Sequence, residues 1–520
     1  MTRNLGRRLG AAVAVAAIAT LGLAACAGPG ATGSSGSPKE RGVLNVTSVS
    51  APSTLNPAAS GNGSDAVYQQ LAYAPLIQID SEGALVPGLA EKWGYEGEGN
   101  TTFSLTLRDG LKFADGTPLD GAAVAASLNY FAKNATGPAA AAFSTLSAAA
   151  DGAKGVTITS SVANPVIADL VSTRFLGGNI ISPAGLASPD ALGTKTFGAG
   201  AYVLDSDQSL SGDHYTFVPN KNYYDQKGIH FDKVVVKVVT NPSSAIQAMK
   251  TGQIDAVAGD STTVKSARDA GLTVLNAPSS WTGAFVLDTA GEVTPALGKV
   301  EVRQAMNYAI DRAAIAKAVF GEFASPVQQP NDPGFDAFDE KLEGTYDLDL
   351  AKARSLLADA GYPDGFTVTW AYPTYEPQTA KVVQAMASQL SEIGIKAELH
   401  GAANITELIT MLTSKENSLW SLQWGGQSQF ANTKQVWLAG SQVNPFGHVA
   451  PGLDAAFQKY SEASVDDRDA TAQAVERILV ENAVSIPVAK VDTIYYHVAD
   501  LKGVALQKTG EINNVIYWSR

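Results

Sequence analysis

The sequence predicts an α/β fold with more than one hydrophobic core, its helices packed on mixed sheets. Three observations carry this expectation. The chain has 520 residues, whereas single cores stop growing near ~250–300 residues. Runs that read as strands are followed repeatedly by capped helical segments and then by further strands. Several helical segments stop at a glycine that leads straight into the next strand, as at Gly252 and Gly394.

Val43–Ser48 alternates as a first strand, and residues 66–79 read as a short helix running into a second. Thr102–Arg108 is strand-like. Asp109-Gly110 and Asp115-Gly116, set between hydrophobic runs, predict hairpin turns. Asp120 then caps a helix that reaches Phe131. Phe231–Thr240 is dense in β-branched residues and predicts a buried strand. Pro242–Thr251 reads as a helix, Ile254–Val257 as a strand and Val302–Phe320 as one helix. Asp349 caps a helix with Leu350, Ala353, Leu356, Leu357 and Ala360 on one face, and Gly361 ends it. A helix over 377–393 passes into the strand Ile395–His400. No short period repeats, which argues against a solenoid or propeller.

Charge and motif content exclude several function classes. Lys and Arg number 37 against 50 Asp and Glu, a formal charge of −13, and the acids are scattered. Nothing builds a basic groove, so nucleic acid is not an expected partner. His214, His230, His400, His448 and His497 stand far apart without metal-ligand spacing. GxSxG, HExxH and P-loop motifs are missing. An exported hydrolase therefore lacks its machinery, and neither a catalytic residue nor a cofactor is predicted.

The first 26 residues read as an address. Arg3, Arg7 and Arg8 precede the apolar stretch Ala11–Ala25, too short to span a ~30 Å hydrocarbon core comfortably. Leu23-Ala24-Ala25-Cys26 resembles the lipobox of bacterial lipoproteins, in which the cysteine thiol carries lipid. Cys26 is the single cysteine, so no disulfide within the chain supports the fold. Residues 27–41, rich in Gly, Ser and Pro, read as a flexible tether with a reach of about 20 Å.

Several blocks, in this order, resemble the family 5 extracellular solute-binding proteins of ABC importers, the oligopeptide- and dipeptide-binding group. They are Leu85–Trp93, Phe103–Pro118, Phe197–Tyr202, Met249–Ala256, Val302–Arg312, Tyr346–Tyr362 and Leu479–Pro487. Each alone is a generic hairpin or capped helix; seven in register behind a lipobox are specific. The resemblance implies a two-lobe periplasmic-binding-protein-like fold with a small domain inserted in the first lobe. Signal peptide and lipobox would occupy 1–26 and the tether 27–41. The first lobe would comprise 42–80, 190–288 and 489–520, the insert 81–189 and the second lobe 289–488. Crossings would fall near 287–289 and 486–488, and closure about them would bury the solute. The expected partners are ABC permease subunits and a membrane, reached through lipid on Cys26; a monomer is expected. The expected solute is a peptide or peptide-like molecule, with a saccharide or a sensing role as alternatives.

For the site, Trp420, Trp424 and Phe430 cluster with glycine and polar residues, Gly425 and Gln427 among them. In the resembling proteins a Trp here is followed three residues later by an Asp that pairs with a peptide's amino terminus. Trp424 matches the Trp, but Gln427 stands at the Asp position. A neutral amide suits amides or hydroxyls better than a free amine at that spot. Trp281, expected to open the strand Thr282–Leu287, is a further candidate. Tyr372 and Tyr375, beside Pro373 and Pro377 in an expected loop, are weaker ones, and Arg108 and Asp115 are expected to be structural.

Overall fold

In the computed structural model, which describes residues 42–520 except 61, 62, 64, 332 and 333, two long antiparallel strands form the frame. Thr273–Val286 and Ser485–His497 pair along most of their lengths. At one end, Ile494–His497 takes on Ala256–Gly259 as a neighbour. Beyond it lie Val43–Ser48, Lys233–Val238, His214–Pro219 and Tyr202–Leu210. At the other end, Phe285 and Val286 pair with Leu419–Trp420, followed by Phe366–Pro373 and Ile395–Ala402. The two strands thus bridge two half-sheets, and their register shifts between Pro278 and Ser280 and between Thr282 and Gly283.

Each half-sheet carries its own core. In the first lobe, alternation in Val43–Ser48 buries Leu44 and Val46 beside Val234 and Val236. In the second, the parallel strands Phe366–Pro373 and Ile395–Ala402 are joined by the helix Pro377–Ser391. That helix buries Thr379, Val382, Val383, Met386 and Leu390, the spacing of one apolar face. Each fully buried Val, Leu or Met contributes roughly 1.5–3 kcal/mol. A small antiparallel sheet of Ala90–Tyr95, Thr102–Leu107, Gly155–Ser160 and Leu146–Asp151 forms the insert, and the helix Gly121–Asn134 covers it. The result is the expected α/β two-lobe fold with mixed sheets.

The insert also reaches the second lobe. Asn100, at a φ of 51° that asparagine tolerates better than most residues, donates its Nδ2 to the Ser461 and Ala463 carbonyls at 2.9 and 2.8 Å. These carbonyls close the helix Leu453–Glu462. The Arg468 guanidinium stacks over the Tyr95 ring of the insert, 5.5 Å from its centroid.

Four local expectations are corrected. Val302–Phe320 is two helices, Val300–Tyr308 and Arg312–Phe320. Asp311 leaves helical geometry and caps the second by accepting from Ala314 N at 2.9 Å. The Asp109-Gly110 turn makes no hairpin, because Thr102–Leu107 pairs with Ala90–Tyr95 and Gly155–Ser160. A turn signal fixes local geometry but not which distant strand fills an edge. Trp281 lies inside a strand rather than opening one. Tyr372 belongs to the strand Phe366–Pro373 rather than to a loop. Arg108 and Asp115 are structural: Arg108 donates to Gly88 O at 2.6 Å, and Asp115 accepts from Thr117 N at 2.9 Å.

Candidate ligand-binding site

The site starts from one backbone exchange. Trp281 donates its N–H to Trp424 O at 2.7 Å, and Trp424 returns the bond at 2.9 Å. This pins the segment after Trp424 to the bridging strand. Gly425 and Gly426 then turn the chain with φ of 152° and 74°, the second a conformation that glycine adopts without strain. Ser428 caps the short helix Gln429–Asn432, which continues as a π-helical turn over Thr433–Trp437. Trp424 Nε1 donates to Asn432 Oδ1 at 3.0 Å, tying the turn to the helix.

Phe285 is the packing centre behind this segment. Its ring centroid lies 4.8 Å from that of Trp281, 5.5 Å from Trp420, 6.0 Å from Trp424 and 5.6 Å from Trp437. Trp281 and Trp420 are 0% exposed and Phe430 is 4% exposed. Trp424, Gly425 and Gln427 are half-buried. Trp281, Trp420 and Trp424 are therefore gathered around Phe285, Phe430 packs instead against Phe457 and Tyr460, and Trp424 to Gln427 form an accessible edge. Tyr375, 37% exposed, stands apart from this group in sequence and burial.

Sequence reasoning missed two further segments. One is the hairpin tip around Leu506 and Ile512, where Gly510 N donates to Gln507 O at 2.9 Å. Gly510 has a φ of 79°, and a Cβ there would lie 2.4 Å from Ser279 Cβ and 2.8 Å from Pro278 O, so only glycine lets the tip touch the bridging strand. The other is Gly334 to Asp336. Gly334 faces Lys508 of the tip, with its Cβ position 3.5 Å from the Lys508 Cβ. Asp336 accepts from Gln429 N at 3.1 Å and from the Tyr460 hydroxyl. Arg174 lies over the Phe335 ring at 5.1 Å and donates to Asp169 at 2.6 Å.

Polar atoms here are enclosed without partners. They include Gln427 Oε1, Gln429 Nε2, Gln507 Oε1, Thr509 Oγ1, Thr433 Oγ1 and Gln435 Oε1. An unsatisfied buried polar group costs about 1–3 kcal/mol, so such a set calls for hydrogen-bonding partners. Burial also raises the Asp336 carboxyl above the ordinary carboxylate range, against the opposing pull of Tyr460 and Gln429. Burial raises Glu511 likewise, opposed by Arg174. A separate small hollow lies behind the π-helical turn, lined by residues such as Val286, Leu287, Val436, Trp437, Leu453 and Val484. None of the partnerless polar atoms belongs to its lining, so its chemistry is different.

Two α/β lobes bridged by two strands, meeting around partnerless hydrogen-bonding groups, define a two-lobed solute-binding protein. The chain belongs to the bacterial extracellular solute-binding proteins, family 5, whose middle-region profile matches residues 84–445. It is an exported solute-binding protein and not an enzyme. The glutathione-binding protein GsiB of Salmonella paratyphi A is 27% identical over 353 residues, 66% of this chain and 67% of the relative. The substrate-binding protein CtaP of Listeria monocytogenes superposes with a TM-score of 0.80 at 21% identity, covering 92% of this chain and 99% of the other. The open, unliganded murein tripeptide-binding protein MppA gives 0.77 at 21% identity, covering 93% and 98%. Among the described residues no helix is long and apolar enough to cross a membrane. Cys26 and the residues up to 41 lie outside the described residues.

Proposed function

We propose that this protein captures a peptide-like solute between its lobes and delivers it to the permease of an ABC importer. It acts as a monomer held by lipid on Cys26 at the outer face of the cytoplasmic membrane. The observation that carries the reading is the set of buried, partnerless donors and acceptors where segments of both lobes meet. A peptide backbone alternates N–H and C=O and can satisfy both kinds. GsiB and MppA are named for glutathione and a murein tripeptide, which supports the same chemistry. The lobes follow the boundaries given above, 42–80, 190–288 and 489–520 against 289–488, with the insert at 81–189. The register shifts of the bridging strands at 278–283 give the hinge its slack.

Trp424, Gly425, Gln427 and Phe430, backed by Trp281 and Trp420, form the solute wall. Gln427 contributes one neutral hydrogen bond through Oε1, worth about 1–1.5 kcal/mol. Calorimetry with an equimolar tripeptide pool tests both statements. Wild type binds the pool, and Gln427→Ala binds it roughly 5–10-fold more weakly. Wild type that ignores the pool but binds neutral disaccharides rules out a peptide solute, and a loss under twofold removes Gln427 from the site.

The anchor has its own test. Cys26→Ala moves the protein from the membrane fraction to the soluble fraction on cell fractionation. A variant that stays with membranes as firmly as wild type refutes anchoring at Cys26.

A further inference from the structure

The three candidate indoles at Phe285 are fixed in different ways. Trp281 and Trp420 are 0% exposed, and their Nε1 atoms have no hydrogen-bond partner, so burial alone holds them. Trp424 is half-buried, and packing encloses only part of its ring. That ring meets Phe285 edge-on, with centroids 6.0 Å apart and planes at 84°. The backbone exchange with Trp281 ties down the Trp424 main chain but leaves both side-chain torsions open. What fixes the indole is the bond from Trp424 Nε1 to Asn432 Oδ1 at 3.0 Å.

Asn432 is itself well anchored. It is 4% exposed and ends the helix Gln429–Asn432, where its N–H donates to Ser428 O at 3.0 Å. The chain runs on into the π-helical turn Thr433–Trp437, and the Trp437 ring returns to Phe285 at 5.6 Å. Asn432 therefore belongs to the same aromatic group that supports Trp424. Its chemistry is two-sided. An indole N–H can only donate, and a backbone carbonyl can only accept. With Oδ1 committed to Trp424, Asn432 Nδ2 faces Gln427 O at 3.5 Å, the long end for a hydrogen bond. One buried amide thus spans the indole and the far side of the Gly425-Gly426 turn. Neither a carboxylate nor an alkyl side chain meets both needs.

We propose that Asn432 is a positioning residue for solute capture, holding the Trp424 indole in one pose so that a fixed ring face meets a flat peptide group or apolar side chain of the solute. The inference rests on Trp424 belonging to the solute wall and deepens that reading. A neutral hydrogen bond of ordinary net strength corresponds to about a fivefold bias between poses. Without it the half-buried indole samples other rotamers, and apparent affinity falls with the fraction that stays competent.

The test combines calorimetry on the equimolar tripeptide pool with nuclear magnetic resonance of 15N-tryptophan-labelled protein. Asn432→Leu binds the pool about fivefold more weakly than wild type. Adding Asn432→Leu to Trp424→Phe costs less than a further twofold, because the amide acts through the indole N–H that phenylalanine lacks. The Trp424 Nε1–H resonance, identified by its absence in Trp424→Phe, moves upfield in Asn432→Leu. Asn432→Asp keeps the acceptor, so it retains the resonance near its wild-type position and binds within threefold of wild type; it also serves if the leucine variant does not fold. Losses that multiply in the double variant, or a resonance unmoved by leucine and displaced by aspartate, overturn the inference. So does Asn432→Leu within twofold of wild type while Trp424→Ala is weakened, an outcome that leaves the solute wall standing. Trp424→Ala within twofold of wild type removes Trp424 from the wall and the inference with it. Wild type that does not bind the pool overturns both the peptide reading and this inference.

Discussion

Phe285→Ala lowers the stability of the protein by about 3–5 kcal/mol, the usual cost of emptying a large aromatic site in a core. Phe285 is 0% exposed and touches the rings of Trp281, Trp420, Trp424 and Trp437. Its removal leaves a cavity bounded by four indoles, which are too rigid to collapse into it. Phe285 also pairs with Trp420 in the sheet, so the damage reaches the strand that carries the site. Chemical denaturation should show the loss, together with a tryptophan emission shift, because these four residues are among only 7 tryptophans in the chain. Phe285→Leu should recover roughly half of the loss, since a smaller void remains. A Phe285→Ala variant within about 1 kcal/mol of wild type would show that the indoles do not depend on this ring.

Arg312→Met costs a similar amount by a different route. The guanidinium is 4% exposed and donates to Pro487 O at 2.8 Å, Asn307 O at 3.0 Å and Tyr346 O at 2.9 Å. It also donates to Asn307 Oδ1 at 2.7 Å. Burial pulls its pKa down to about 10, still well above neutral pH, so the charge persists in the folded protein. Methionine fills the volume but withdraws donors from the Pro487 and Tyr346 carbonyls and from Asn307 Oδ1, at about 1–3 kcal/mol for each group left unpaired before relaxation. The expected loss is about 3–5 kcal/mol, read from the denaturant midpoint. Arg312→Lys should fall between, because one ammonium cannot span the same fork. If methionine and arginine proved equally stable, water would have to replace the lost donors.

These two side chains show where sequence reading stops. Arg312 sits in a block that resembles the family, yet nothing local shows that its guanidinium links Pro487, 175 residues away, to the helix break at Asp311. The break itself was hidden by helix-forming residues on both sides. Caps were legible: Asp120 and Asp349 accept from Ala123 N at 3.0 Å and Lys352 N at 2.8 Å, because capping is decided within four residues. The strand Val43–Ser48 was legible because its alternation is local. The Trp424 segment stood out by composition, since aromatic residues among glycines and amides lack a helical or strand period. Asp336 and Glu511 carry no such mark. Their surroundings, Asp169 beside both and Arg174 beside Glu511, are assembled only by the tertiary fold. The Asp109-Gly110 turn failed as a hairpin for the same reason: the edges of Thr102–Leu107 were filled from further away.

The Asn100 contact gives the insert a role in timing. Its two hydrogen bonds to Ser461 and Ala463 join the insert to the proposed second lobe, which would separate in the lobe opening proposed above. They touch no proposed solute residue, so they leave the encounter step alone. In that proposal every departure would have to break them, together with the Arg468 stack on Tyr95. Their strength is therefore felt in the dissociation rate, and a loaded receptor gains residence time from a contact remote from its cargo. For a carrier that has to find a membrane partner before losing its load, that delay sets how far a captured molecule travels in safety.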